Sequence, residues 1–193
     1  MSNLRPRRSR PAARPIWSVS AGDPRAQASG APIRLSDLSH GEQALVRAFR
    51  RWVAGKAHHA AAWDAVAGVF GGRDGRAVMG GLIRLVEGMR GGARRRILHH
   101  AQCCPCLAAD EIRLLTLVGA AAAGRLDRAA AYACDLLGLD PLAGAGQEVG
   151  SALAVEARGL ALAMATQDAA PAERAGISFA VCAEEGRPKE AVH

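Results

Sequence analysis

The chain has 193 residues, half of them hydrophobic, with a formal net charge of +7. That length suits one domain with tails and is enough to bury a core. No run approaches the roughly 18 consecutive apolar residues of a membrane span, which excludes an integral membrane protein of the helical kind.

The charge is unevenly placed. Residues 1–34 carry seven arginines (Arg5, Arg7, Arg8, Arg10, Arg14, Arg25 and Arg34) against the single acid Asp23, so residues 35–193 hold only +1. A nucleic-acid-binding domain ordinarily has a basic face on the fold as well as a basic tail. The only lysines are Lys56 and Lys189, so the arginine excess reads as coding bias rather than a device for phosphate. The tail's other partner would be a polyanion, bound non-specifically. Pro6, Pro11 and Pro15 break up the N-terminal stretch, and no apolar segment of a secretory signal follows it. The cytoplasm is the expected compartment, and there the five cysteines are thiols or ligands, not disulfides.

Residues 1–35 are rich in Pro, Arg, Ser and Gly and cannot bury enough surface to fold alone, so a disordered tail is expected. Ser39 and Glu42 form a capping box that opens the first helix. Leu45, Ala48, Phe49, Trp52 and Val53 share one face of it, and Arg47, Arg50 and Arg51 fall on the other, which reads as solvated surface. Gly55 closes that helix. A second, over 59–70, spaces Trp63, Val66, Ala67 and Phe70 helically and ends at Gly71-Gly72. Asp74 is placed to cap a long third helix over 75–99. Its stripe is Val78, Leu82, Leu85, Val86, Met89, Ala93 and Ile97. Gly81, Gly88 and Gly92 edge that stripe, and three helix-weakening glycines on one side predict a closely approaching neighbour.

Pro105 forces Cys104 out of helical geometry, so Cys103-Cys104-Pro105-Cys106 is a turn. Asp110 and Glu111 stand near the start of a fourth helix over 109–123. Ile112, Leu114, Leu115, Leu117 and Val118 surround it, which suits the centre of a bundle. Gly124 ends it, and Asp127 is placed to cap a fifth helix that runs to Leu137. Ala129, Tyr132, Ala133 and Leu136 make its buried face, and Gly138 and Pro141 stop it. A sixth helix over 147–165 lines up Val149, Leu153, Leu160 and Met164. Glu156 falls within that stripe, so it must sit at the rim or be paired, because an unpaired buried charge is costly. Beyond Thr166 only the apolar run Ile177–Cys182 stands out. The fold class is therefore all-α: one bundle of five or six helices over 36–166, with disordered termini and a weakly ordered tail at 167–193.

Motifs of the common enzymes are missing. There is no G-x-S-x-G elbow, no H-E-x-x-H helix, no phosphate loop ending in Lys-Ser or Lys-Thr, and no dinucleotide fingerprint after a strand. Gly71–Gly75 lacks the lysine and the strand that a phosphate loop needs. Residues 117–141 look like one tetratricopeptide hairpin, but there is no second copy, and a solenoid needs about three.

One constellation carries chemistry: His99, His100, Cys103, Cys104 and Cys106. Cys103 and Cys106 have the two-residue gap of zinc and iron–sulfur knuckles. His99 would share a face with Cys103 if the third helix continued that far. Strong zinc signatures have two separated pairs, whereas the rest of the chain adds only Cys134 and Cys182. Three readings stand. The cysteines pack as small apolar groups, they bind zinc or an iron–sulfur cluster, or they act as reactive thiols near a helix N-terminus, with Arg94, Arg95 and Arg96 assisting.

Around these residues the chain resembles a group of small alphaproteobacterial proteins that share a domain of unknown function. The resemblance is carried by Arg95-Arg96-Ile97 at a helix end, by Cys103-Cys104-Pro105, and by Ala109-Asp110-Glu111 opening the next helix. It extends loosely over 39–137. It brings no activity, substrate or cofactor, but it implies that the helix, cysteine turn and helix form the family's signature. The function expected is a non-enzymatic helical interaction or regulatory protein, with a protein partner or a second copy of itself. The alternative is a metal-binding or redox-responsive thiol protein that uses residues 99–106. Nucleic-acid binding through the arginine tail is a third, weaker expectation.

Overall fold

Five α-helices follow one another along the chain, as the hydrophobic periodicity requires: α1 (His40–Val53), α2 (His59–Gly92), α3 (Ala109–Ala122), α4 (Leu126–Leu137) and α5 (Gly144–Ala165). The structure, a computed structural model, describes Trp17–Val19 and residues 32–165. Two three-residue strands, β1 (Trp17–Val19) and β2 (Ile97–His99), pair in parallel. Among the described residues no helix is long and apolar enough to cross a membrane. The expectations for Ile177–Cys182 and for the tail at 167–193 fall outside the described residues.

Ser39 caps α1 as its spacing requires. Its hydroxyl accepts from the Glu42 N–H, and the Glu42 carboxylate takes the Ser39 N–H at 2.9 Å. α2 is two helical stretches that meet at a break at Gly71, so the second and third expected helices are both present. Gly71, at φ 74° and ψ 172°, is the non-helical residue between them, a conformation open to glycine, and the chain turns there so that Gly75 comes against Ala67 and Val66. Asp74 is the third residue after that break, so it sits within the first turn of the second stretch and not ahead of it as its cap. α2 also stops at Gly92, short of residue 99: Ala93 is extended, and Ile97–His99 become β2. Asp127 is the second residue of α4 and not its cap, a place taken by Arg125. α4 closes on Gly138 in the left-handed conformation (φ 69°).

Leu45 and Phe49 of α1, Leu82, Leu85 and Met89 of α2, Leu114 and Leu117 of α3, Leu136 and Leu137 of α4, and Leu153 and Leu160 of α5 form one core. α5 packs against α2, α3 and α4, while α1 packs on α2. The three glycines of α2 meet the neighbour that their spacing predicts. Gly81 faces Leu160, Gly88 faces Leu153 and Gly92 faces Val149, so α2 and α5 run antiparallel at close range.

The loop between α2 and α3 is held from the N-terminal side. The Leu35 N–H donates to the Pro105 carbonyl at 2.7 Å, and the Leu107 N–H to the Ile33 carbonyl at 2.9 Å, with Arg34 bridging Cys106 antiparallel. Ile33–Leu35 thus belong with the folded part, although the sequence places its start at residue 36.

Candidate functional site

The centre of the α2–α3 loop is not a cysteine but an arginine. Arg50 projects from α1 with its side chain 0 % exposed. The helical spacing puts it on a solvated face; in the structure it is instead fully buried. Its guanidinium has five N–H donors, and each finds an acceptor. Nε and Nη2 hold the two Glu111 carboxylate oxygens at 2.7 and 2.8 Å. Nη1 reaches the carbonyls of Cys104 at 2.6 Å and Ala101 at 3.4 Å, and Nη2 reaches that of Cys106 at 2.6 Å.

Glu111, also 0 % exposed, stands in the first turn of α3. Its carboxylate accepts the Ala108 N–H at 2.8 Å, which ties up one of the free donors at the helix N-terminus. It also accepts the His100 N–H at 3.2 Å. An ion pair inside a protein repays its desolvation only when the geometry is good and the remaining donors and acceptors are satisfied. Both conditions are met here. The pair fixes the loop on both sides, at residues 100, 101, 104, 106 and 108.

Asp110 forms a second node beside it, with its side chain 2 % exposed. Arg95 binds it with two bonds, at 2.8 and 2.7 Å, the Leu98 N–H donates to it at 2.8 Å, and Arg113 reaches it at 2.9 Å. Arg113 continues to Asp135 of α4 at 2.6 Å. Burial pushes the Asp110 carboxyl up, but the hydrogen bonds from Arg95 and Leu98 and the charges of Arg95 and Arg113 outweigh it, so its pKa falls below the ordinary carboxylate value. The same hydrogen bonding raises the Arg95 guanidinium. The assistance expected from Arg95 therefore goes to Asp110.

The five residues singled out by the sequence lie on this one loop. Cys103 is exposed, and Cys104 and Cys106 are partly exposed. His100 is half-buried. His99 is buried in β2, edge-on to Phe49 with ring centroids 6.3 Å apart, and its Nδ1 N–H donates to the His100 carbonyl at 3.1 Å. Because α2 ends at Gly92, His99 and Cys103 do not share a helical face, so the premise of that pairing fails. Among the described residues no three His, Cys, Asp or Glu side chains are gathered in a way that could hold a metal ion.

Cys134, one of the two outlying thiols, is buried in α4, where its Sγ donates to the Gly146 carbonyl at 3.3 Å. Burial, with the nearby Asp140 charge, pushes its pKa up, which keeps it an inert packed thiol. Cys182 lies outside the described residues. Glu156 is paired at the rim: the Arg84 Nε donates to it at 2.9 Å, and both side chains are partly exposed, as the stripe argument requires. Arg50 is the residue that sequence reasoning missed. The available signal was the row Val46, Arg50 and Val53, which puts Arg50 between apolar neighbours one turn away on either side.

Comparison with protein-family models, with curated proteins and with solved structures gave no match.

Proposed function

We propose that this chain is a non-enzymatic helical regulatory protein whose responsive element is the thiol turn at residues 103–106. The observation that carries this reading is the Arg50–Glu111 clamp. A fully buried ion pair donates to or accepts from the backbone at five loop positions, so the bundle holds three closely spaced cysteines in one defined conformation at its surface. Core packing alone would not need exposed Cys103. Catalysis would need a paired acid and base or an activated nucleophile with its base. Instead, the carboxylates of Asp110 and Glu111 are fully engaged with arginines and backbone donors.

The test is thiol footprinting of the reduced full-length chain with an aromatic disulfide reagent, followed by peptide mapping. Fast labelling confined to Cys103, Cys104 and Cys106, with Cys134 slow, supports the reading. Labelling at Cys134 as fast as in the loop overturns it, and so does turnover in hydrolase or transferase screens. Metal analysis of protein purified without air, with Cys103→Ser as the control, tests the zinc or iron–sulfur version of the same site.

A second observation favours protein association. Val155 and Leu162, seven residues apart on α5, are 61 % and 58 % exposed and face away from the core. A second copy of the chain laid along this face would cover them. Sedimentation of the wild type and of Val155→Glu tests it: a dimer lost in the variant supports self-association, and a monomeric wild type overturns it.

A further inference from the structure

We infer that Cys103 and Cys106 form a dithiol–disulfide couple, closed by a hydroperoxide and opened by a thiol reductant, with the Arg50 clamp holding the loop compact. This rests on the reading of the turn as the responsive element.

The geometry begins with the clamp. Cys106 stands five positions after Ala101, a stretch that would span about 17 Å if extended. Both carbonyls, with that of Cys104 between them, bond to one guanidinium. The chain must therefore curl back within this stretch, and the Cys104 N–H bonds to the Ala101 carbonyl at 3.0 Å as part of that curl. Cys103 is the third residue of that Ala101–Cys104 turn, and Cys106 follows the bend at Pro105, so both thiols lie on the short stretch whose carbonyls one guanidinium gathers, the compactness that a disulfide's short Cα separation requires.

The competing bridges are poorer. Joining the neighbours Cys103 and Cys104 would distort the peptide between them, whose planarity is stiff, and would break the Cys104–Ala101 turn bond. Joining Cys104 to Cys106 would close a ring across the one residue Pro105, whose carbonyl is held by Leu35 and whose two neighbours' carbonyls are held by Arg50. Cys134 is buried in α4 and bonded to Gly146.

The chemistry balances with a hydroperoxide as oxidant. The Cys103 thiolate, on the exposed residue, attacks the peroxide, and the O–O bond breaks. Cys103 becomes a sulfenic acid, and the leaving oxygen departs as water or an alcohol. The Cys106 thiolate then attacks the Cys103 sulfur. The S–S bond forms, the S–O bond breaks, and hydroxide takes up a proton to leave as water. Two thiols lose two electrons in all, and the peroxide gains them. Two equivalents of an external thiol reverse the step by exchange.

The experiment titrates the reduced full-length chain with hydrogen peroxide and follows intact mass and peptide maps. The couple predicts loss of two hydrogens, one bridge mapped to Cys103–Cys106, and full reversal by dithiothreitol. Cys106→Ser should stop at a Cys103 sulfenic acid that dimedone traps, while Cys104→Ser should close at the wild-type rate. Arg50→Lys, which keeps the charge but loses the fork, should close at least tenfold more slowly if circular dichroism shows it folded. The cysteine variants carry the test if it is not. A Cys103–Cys104 bridge, an intermolecular bridge, or sulfinic acid at Cys103 in the wild type overturns the couple but leaves the turn reactive. Loop thiols that fail to react with either peroxide or the footprinting reagent overturn the couple and the proposed function together.

Discussion

Arg50 shows how one residue can organise a surface loop from inside the core. Removing either partner of a buried ion pair leaves the other charge uncompensated, which typically costs about 3–5 kcal/mol. Arg50→Met should lose stability on that scale, because it strands Glu111 and also frees the Cys104 and Cys106 carbonyls. Glu111→Gln should lose on the same scale, since the neutral amide strands the Arg50 charge and sets an NH2 donor against the donors of Arg50, His100 and Ala108. The double variant Arg50→Met with Glu111→Leu should be more stable than the sum of the two single losses, and urea unfolding midpoints measure all of this. Asp110 makes a pH prediction. Its folded pKa is depressed, so its contribution is fully present above the unfolded value near 3.9 and is lost as pH falls through the lower folded value. The stability gap between wild type and Asp110→Asn should therefore be flat from about pH 7 to pH 5 and narrow below about pH 4. A gap that narrows instead on going from pH 5 to pH 7 contradicts the assignment. Glu156 was legible in the sequence because a lone acid in an apolar stripe has few acceptable places. Arg50 was not, because its partner lies 61 residues away and an arginine beside Arg51 and near Arg47 looks like one more solvated cation.

At the level of elements, the contact between α2 and α5 was written into the glycine spacing, because only a near neighbour makes three glycines in one stripe worth their helix cost. The end of α2 was not. Ile97 continues the apolar period of Val86, Met89 and Ala93, and it is indeed buried, yet it gets there on a strand. The reason is tertiary. The Arg94 N–H is taken by the Leu137 carbonyl and the Leu98 N–H by Asp110. These acceptors replace the helical bonds and are invisible in a local window. The break at Gly71 was legible from its glycine pair, with a helix expected on each side; what was not legible is that the second stretch starts at once, which puts Asp74 inside it. Close helix contacts make a paired prediction. A methyl on Gly150 would stand 2.6 Å from the Cys134 Sγ and 2.8 Å from the Ala130 carbonyl oxygen, and that backbone cannot swing aside as a side chain can. Gly150→Ala should cost about 1–3 kcal/mol of overpacking, more than its gain in helix propensity. Gly91, also helical, meets nothing within 4 Å, so Gly91→Ala should gain about 0.5–1 kcal/mol. Thermal unfolding of the two variants should move in opposite directions, and a common direction would mean that packing between α4 and α5 is looser than described.

For the whole molecule, charge and fold are separable. The core is built from α1 to α5, whereas residues 1–31 supply six arginines and Asp23 and, among the described residues, only the three-residue strand β1 on β2. Deleting residues 1–31 keeps Ile33–Leu35, which hold the thiol loop through Pro105 and Leu107. The shortened chain should therefore retain its helical circular dichroism and close the Cys103–Cys106 bridge like the full chain. Its behaviour toward polyanions should differ sharply. Each arginine that neutralises a phosphate adds about 0.9 to the slope of log affinity against log salt on duplex DNA, so six account for a slope of at most about five. The remaining chain is close to neutral and has no comparable source of counterion release. Full-length protein should elute from a heparin column at clearly higher salt than the deletion variant, and the variant should pass through at physiological ionic strength. Retention that survives the deletion would place a basic surface on the bundle itself, with exposed Arg90, Arg94 and Arg96 around the end of α2 the first positions to reverse.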